Sequence, residues 1–156
     1  MAAGSIRKSQ VCEALTIKKV PCRNRTARGK MCWIHLKKEK GLRVKKSTHG
    51  LGLFTTRDRK RNRVIVPYKG EQMTKKQVAK RYPKKEGRYV VCSGNRCVDA
   101  RVTTSGVGRF ANSSKGTGKK SNARFTNNSL NIKSRKKTRI KAGSEILVKY
   151  NGGYNI

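Results

Sequence analysis

The amino-terminal part of the chain contains four side chains of the types that bind metal ions. Cys12, Cys22, Cys32 and His35 follow the spacing C-x9-C-x9-C-x2-H. Three thiolates and one imidazole suit a closed tetrahedral zinc site, which leaves no coordination position for catalysis. The surrounding segment has few apolar residues, so a bound metal would supply folding free energy that a small core cannot. We therefore predict a structural zinc site; the alternative is three buried thiols beside an unrelated histidine.

Two further cysteines lie in the segment "GRYVVCSGNRCVDA", whose two β-rich arms around Ser-Gly-Asn predict a hairpin. Cys92 and Cys97 lack two further metal ligands nearby, which favours core thiols that pair or face each other across the turn over a second metal site. The chain has five cysteines, an odd number. Because the amino terminus also lacks a secretory signal, we expect reduced thiols and a location in the cytoplasm, within a ribonucleoprotein particle, or in the nucleus.

The charge of the chain is strongly one-sided. Lys and Arg number 41 against 7 Asp and Glu, for a formal net charge of +34. Such self-repulsion destabilises a fold unless a polyanion neutralises it, so we expect a nucleic-acid partner. Membrane spanning is not expected, since no apolar run approaches about 20 residues. RNA is favoured over DNA because no recognition helix is evident.

The basic residues fall mainly in predicted loops, where a β-rich protein meets its partners. The candidate RNA contacts are Arg57, Arg59, Lys60, Arg61, Arg63, Lys115, Lys119, Lys120, Lys133, Arg135, Lys136 and Lys137. Each run alone could be an ordinary solvated surface, but several together favour a binding face.

The elements that must position these groups are mostly short strands. The spacing predicts one helix from Thr74, an N-cap, to Pro83, with Val78, Ala79 and Tyr82 facing inward. Short strands are predicted in the segments "GLGLFTT", "RVIVPYKGE", "NARFTNN", "SLNIKS", "KTRIKAG" and "EILVKY". The pattern predicts an α+β fold that is mainly β, with a basic zinc-binding module at 1–40 and a second domain at 41–156.

Several segments resemble known modules. "VPC" and "RGKMCWIH" are similar to small zinc-binding modules, with Val20 where those often have glycine. From about Gly41 onward the chain resembles the SET domain family, whose members transfer methyl groups from S-adenosylmethionine to protein lysines. The resemblance is carried, in the family's order, by "THGLGLFTT" (48–56), "VPYKGE" (66–71), "CVDA" (97–100), "GRFANSS" (108–114), "NARF" (122–125) and "IKAGSEILVKYNGGY" (140–154).

The resemblance implies a fold of short strands with a carboxy-terminal pseudoknot. It assigns cofactor binding to Gly50, Gly52, Arg109, Phe110 and Asn112, and it matches Tyr150 to the tyrosine that orients the substrate amine. A packed aromatic is the alternative for Tyr150.

The chain departs from the family pattern after Asn112. Ser113 stands where the family has histidine, and a lysine-glycine insertion follows. A cationic protein would also repel the cationic tails that many family members modify.

These features favour a non-catalytic RNA-binding protein, a structural constituent of a ribosome or a similar ribonucleoprotein particle, in contact with rRNA and neighbouring ribosomal proteins. An active S-adenosylmethionine-dependent protein-lysine methyltransferase in an RNA-rich or chromatin setting is the alternative.

Overall fold

The computed structural model describes residues 5–85, 87–127 and 129–150, and over these the chain has the mainly β architecture that the sequence predicts. The strands are β1 (Gln10–Val11), β2 (Arg25–Thr26), β3 (Leu42–Ser47), β4 (Gly50–Thr55), β5 (Val64–Pro67), β6 (Glu71–Thr74), β7 (Val90–Ser93), β8 (Arg96–Asp99), β9 (Asn112–Ser113), β10 (Ala123–Phe125), β11 (Asn131–Ser134) and β12 (Leu147–Val148). The helices are α1 (Trp33–His35) and α2 (Lys75–Arg81), with a π-helical turn at Leu36–Lys40 and a 3₁₀ turn at Val107–Phe110. None of the helices in the described ranges has the length and apolar character needed to cross a bilayer.

The strands form small sheets around one main core. β3 and β4 pair as an antiparallel hairpin, β10–β11–β5 form a second antiparallel sheet, and β6–β8–β7 form a third. Alternate side chains of these strands point inward. The fully buried side chains of this core include Leu42, Leu53, Leu130, Ile132 and Ile146.

Near its carboxy-terminal end the described chain passes between the two ends of an earlier loop, as the predicted pseudoknot requires. β12 pairs in parallel with β9, so that Leu147 lies opposite Asn112 and Val148 opposite Ser113. On the other side, Asn122 accepts from the Leu147 N–H through Oδ1 at 2.9 Å, and its Nδ2 donates to the Glu145 carbonyl at 2.7 Å. The segment before Tyr150 is therefore held between the two ends of one loop.

The predicted helix is present as α2. Thr74 is its N-cap, and a capping box joins Thr74 to Gln77. Val78 and Tyr82 are buried as predicted, but Ala79 is exposed, so its inward orientation was wrong. The helix is only seven residues long, and its buried side is a narrow stripe that Ala79 does not reach.

The hairpin at residues 90–99 is confirmed, with Gly94 at a φ of 57° in its turn. Its register places Cys92 opposite Cys97, with their Cα atoms 4.0 Å apart, and the two are joined by a disulfide. The expectation of reduced thiols throughout therefore fails for this pair. The predicted strand in "KTRIKAG" is also wrong, because Ile140 forms only an isolated bridge to Arg59.

Candidate functional site

The four predicted metal ligands are brought together in a small module built around β1 and β2. The Sγ atoms of Cys12, Cys22 and Cys32 and a ring nitrogen of His35 all lie within 4.8 Å of one another. The three cysteines are buried. Three sulfur donors and one nitrogen in a closed group fit a structural zinc ion.

Local hydrogen bonds reach two of these thiols, Cys12 and Cys32. The Cys32 N–H donates to Cys12 Sγ at 3.2 Å, and Asn24 Nδ2 donates to Cys32 Sγ at 3.7 Å. Burial alone would raise the pKa of Cys32, but hydrogen bonds from the backbone and ring of His35 and from Asn24 lower it to about 6. A thiolate is the form that binds metal, so the donors favour the ligand state.

The module is packed against the larger domain at two places. The Gly29 N–H donates to the Thr103 carbonyl at 2.9 Å, and a Cβ at Gly29 would overlap the Val107 side chain. The segment before β1 lies on the same loop, because the Lys8 N–H donates to Thr103 Oγ1 at 2.9 Å and Ile6 forms a parallel bridge with Val102. The module that holds the four metal ligands and the larger domain therefore form one continuous surface at this contact.

A cavity of about 460 Å³ lies at this junction. Its walls come from the start of β4, from residues 109–112 and from Tyr89, and the module closes one side with Ala27 and Arg28. A volume of this size is typical of sites for small organic ligands. Among the described residues that line it, none is Asp or Glu.

Glycines shape the β4 wall. Gly50 has a φ of 83°, a left-handed conformation that favours glycine, and the space beside its Cα is open. A Cβ at Gly52 would overlap the Glu145 carboxylate and the Ser47 side chain. Gly52 therefore permits a close approach between β4 and the carboxy-terminal segment, whereas Gly50 leaves the backbone open to the cavity.

Asn112 links the cavity wall to Glu145. Its Nδ2 donates to the Leu51 carbonyl at 3.1 Å and to Glu145 Oε1 at 3.0 Å, and Ser47 Oγ donates to the same Oε1 at 2.6 Å. In this orientation the Asn112 Oδ1 accepts no hydrogen bond from a described residue. An acceptor thus remains for a ligand.

Arg109 forms another part of the wall and is only 5% exposed. Its guanidinium lies over the Tyr89 ring at 4.0 Å, and its Nη2 donates to Ser5 Oγ at 2.7 Å. Nε and Nη1 are buried and have no partner among the described residues. Buried donors without partners are costly, so these two atoms favour a ligand with an acceptor group.

Phe110 also lines the cavity and is buried. The structure therefore brings four of the residues assigned to the cofactor, Gly50, Arg109, Phe110 and Asn112, to one cavity. Gly52 does not line it but fixes the strand behind it.

Tyr150 lies directly behind this wall. Its hydroxyl donates to the Ala111 carbonyl at 2.9 Å, and its ring packs edge-on against Phe125 at 5.4 Å. Phe125 in turn contacts Tyr68, whose hydroxyl donates to the Tyr89 carbonyl at 2.9 Å. Burial raises the pKa of Tyr150 and of Tyr68, so both remain neutral phenols at physiological pH.

The insertion after Asn112 folds back over the start of β4. His49 Nε2 lies 2.9 Å from the Lys115 carbonyl oxygen, and a Cβ at Gly116 would contact the His49 ring. The Ser113 hydroxyl accepts from the Lys115 N–H at 3.1 Å. The Ser113 side chain therefore forms a hydrogen bond within its own loop. Lys115 lies next to His49 at the cavity, apart from most of the other predicted RNA contacts.

Three basic segments meet at Ser134 and Arg135. Ser134 Oγ donates to the Lys60 carbonyl at 2.7 Å, and the Arg63 N–H donates to that hydroxyl at 2.9 Å. The Arg135 N–H donates to the Asn122 carbonyl at 3.1 Å. We call the resulting surface the basic ridge; its members are Lys60, Arg61, Arg63, Lys119, Lys120, Lys133, Arg135, Lys136 and Lys137.

One of the predicted RNA contacts, Arg59, also takes part in holding the fold. Arg59 donates through Nη2 to the carbonyls of Lys40 and Gly41 at 2.5 and 2.8 Å, and through Nε to Thr55 Oγ1 at 2.9 Å. The Arg57 side chain packs against Gly41, where a Cβ would overlap it. Arg59 therefore fixes the turn before β3, whereas the Arg57 side chain is exposed. RNA contact by either residue stays a prediction.

A cavity beside a glycine-opened strand, a threaded carboxy-terminal segment and a partly buried tyrosine behind it define a SET-type fold. A comparison with protein families matches residues 50–151 to the SET domain. The chain belongs to the SET domain family.

Comparison with solved structures finds 220 similar chains. A solved structure of a humanized mutant of the Chaetomium thermophilum Polycomb Repressive Complex 2, bound to the inhibitor GSK126, is similar with a TM-score of 0.55 and 21% sequence identity. The similarity covers 72% of this chain and 15% of that one. At this identity the similarity shows the fold alone. A search of curated proteins returned no match.

Several residues of the site were not predicted from the sequence. Glu145 could have been found, because it occupies the acidic position of the closing family strand. Ser5, Arg28 and Tyr89 had no such signal, since they reach the cavity only through long-range packing.

Proposed function

We propose that this protein is an S-adenosylmethionine-dependent protein-lysine methyltransferase. The observation that carries the proposal is the cavity of about 460 Å³, which gathers Gly50, Arg109, Phe110 and Asn112. Its walls retain unsatisfied groups of both kinds: the Arg109 donors Nε and Nη1, and the Asn112 acceptor Oδ1. A cofactor with a carboxylate in its amino-acid tail and with a nucleobase could satisfy both.

The residues of this chain would act by binding and orientation. Arg109 and Asn112 would hold the cofactor, and the open backbone at Gly50 would allow its close approach. When bound, the cofactor would supply a methyl group on a sulfonium sulfur. The lysine amine would bond to this methyl carbon as the carbon–sulfur bond breaks, and the sulfur would leave as a neutral thioether. In-line displacement depends on the position of the reacting groups, so a rigid wall is the main contribution of the protein.

The substrate amine must be deprotonated to react. Desolvation raises the pKa of Tyr150, so its hydroxyl stays protonated and acts as a hydrogen-bonding group rather than as a base. An approaching lysine would lose its proton because burial and the surrounding positive charge both lower the pKa of an ammonium group. Tyr150 would then orient the neutral amine.

A methyl-transfer assay tests the proposal. Metal-loaded protein is incubated with methyl-labelled cofactor and, as acceptors, purified core histones or purified ribosomal proteins. Label on lysine is expected, and Tyr150→Phe should abolish it. Tyr82→Phe is the control, because Tyr82 also has a hydrogen-bonded phenol but packs in a separate cluster under α2. Label that persists in Tyr150→Phe, or no label on any acceptor, would contradict the proposal.

The basic ridge favours a second candidate function, RNA binding. Its segments are joined by backbone and side-chain hydrogen bonds, so their charges act as one surface rather than as separate loops. A chain of net charge +34 gains binding free energy from the counterions that phosphates release. We propose that this surface binds RNA, with rRNA in a ribosomal particle as the setting.

Salt-dependent binding tests the second candidate. The affinity for a short RNA is measured at several salt concentrations for the wild type and for Lys136→Ala with Lys137→Ala. Each lost phosphate contact should reduce the logarithmic salt slope by about one. Lys75→Ala with Lys76→Ala, on the exposed side of α2, is the control and should change the slope less. Equal slopes for the two double variants would contradict a role for the ridge. Comigration with one ribosomal subunit at high salt would support the ribosomal setting.

A further inference from the structure

A second cavity, of about 360 Å³, lies between the metal module and β3. We call it the Trp33 pocket. Its apolar lining includes Met31, Leu36 and Val44, and Trp33 forms one side with 67% of its surface exposed. Trp33 directly follows Cys32 and begins α1, so the metal group fixes its position. A rigid, flat aromatic surface is therefore presented beside an open groove.

The charged lining of the Trp33 pocket is entirely basic among its described residues. Arg25, Arg28, Arg43 and Lys45 contribute to it, and no Asp or Glu does. Arg43 and Lys45 are two residues apart on β3 and therefore lie on the same face of the strand. The Arg43 side chain has no hydrogen bond or ion pair among the described residues, which leaves a cation for an incoming anion. Lys45 lies over the Phe54 ring at 4.3 Å. Arg25 donates to the carbonyl and hydroxyl of Ser9.

We propose that the Trp33 pocket binds single-stranded nucleic acid, with one base stacked on the Trp33 indole and the adjoining phosphates at Arg43, Lys45 and Arg25. An exposed aromatic ring in a basic groove is the combination that single-strand binding proteins use. A methylated lysine would also stack on tryptophan, but the four cations would repel it. An acidic peptide would meet the cations without needing the indole. A duplex keeps its bases stacked internally and offers no free face.

The inference deepens the RNA-binding proposal but uses a surface other than the basic ridge. Trp33 is the single tryptophan of the chain, so its fluorescence reports on this pocket alone. Metal-loaded protein is titrated with a twelve-residue oligouridylate, with a duplex RNA of the same length and with inorganic polyphosphate. The single strand should quench the fluorescence at saturation. Duplex and polyphosphate should bind, as followed by competition, and leave the fluorescence largely unchanged.

Variants make the test specific to the pocket. Trp33→Ala should weaken single-strand binding by about 5- to 100-fold, and Trp33→Phe should retain most of the affinity because it keeps a ring. Ile34→Ala is the matched control, since Ile34 is 43% exposed beside Trp33 but does not line the pocket. If Trp33→Ala fails to fold, Arg43→Glu should give the same weakening, with Lys76→Glu on α2 as its charge control.

The outcomes separate the two proposals. Binding that depends on the ridge while Trp33 fluorescence stays silent would overturn the inference and leave RNA binding by the ridge intact. No binding to any of the three polyanions would overturn both. Equal quenching by polyphosphate and by oligouridylate would also overturn the inference, because polyphosphate has no base to stack.

Discussion

The Asn112 amide donates a hydrogen bond of 3.0 Å to the Glu145 carboxylate, and this contact joins the cofactor loop to the carboxy-terminal segment. Ser47 donates to the same oxygen from the end of β3. The three residues come from distant parts of the chain and meet behind the β4 wall of the cavity. The cavity and the pseudoknot therefore depend on one polar network.

Gly52 gives this network the space it needs. Gly52→Ala should move Glu145 away, destabilise the fold by about 1–3 kcal/mol through overpacking, and abolish S-adenosylmethionine binding. Gly106→Ala is the control, since its Cβ would meet only the Lys69 side chain at 3.4 Å. Thermal unfolding and calorimetric titration of both variants provide the measurement. Comparable losses in the two would argue against a specific role for Gly52.

Asn122 clamps the threaded segment from the other side. Asn122→Ala removes its side-chain bonds to the Glu145 carbonyl and the Leu147 N–H, and it should lower the free energy of unfolding by about 1–3 kcal/mol. Asn131→Ala is the control, because among the described residues its side chain bonds only the exposed Ser129 hydroxyl. Denaturant unfolding of the two variants gives the comparison. If Asn131→Ala lowers the free energy of unfolding as much as Asn122→Ala does, the Asn122 side chain has no particular role in holding the threaded segment.

The metal group supports the cavity through Ala27 and Arg28. Chelation should unfold the module, because a bound metal would supply its folding free energy. It should also raise the Kd for S-adenosylmethionine about tenfold or more, a loss of about 1.4 kcal/mol. Metal analysis and titration before and after chelation measure both effects. An unchanged affinity of the metal-free protein for S-adenosylmethionine would mean that the module does not contribute to the cavity.

The raised pKa of Tyr82 predicts that the free energy of unfolding changes at high pH. Burial, and the bond of 2.6 Å from its hydroxyl to Asp99, raise the pKa of Tyr82 to about 12, above its ordinary value of 10. The folded state then binds more protons than the unfolded state between these values, so this contribution is full below pH 10 and is lost as pH rises towards 12.

Comparison with Tyr82→Phe isolates that contribution from the titration of lysines. The stability difference between wild type and Tyr82→Phe should shrink from pH 10 to pH 12, as followed by denaturant unfolding. A constant difference would show that Tyr82 does not titrate as described.

The motif order along the chain was enough to predict the SET fold, because each segment forms a local strand or turn that the family shares. The spacing of Cys12, Cys22, Cys32 and His35 likewise predicted a group that the structure brings within ligand distance. Local sequence carries these features, since strand patterns and chelating turns span few residues.

The remaining features depend on contacts between distant residues. The docking of Lys8 on Thr103 and the closure of the cavity by Arg28 have no local pattern. The Cys92–Cys97 disulfide follows from a hairpin register that the sequence suggested only in outline. Likewise, net charge predicted a polyanion partner but did not show that Arg59 would be engaged with backbone carbonyls.

Calorimetric titration of metal-loaded, nucleic-acid-free protein with S-adenosylmethionine tests the central claim most directly. The account predicts one site per chain with a Kd in the range of about 1 μM to 1 mM that is typical of enzyme substrates. Asn112→Ala should remove the binding while the protein remains folded. No binding up to millimolar cofactor, or binding that Asn112→Ala leaves unchanged, would contradict the claim that this cavity serves methyl transfer.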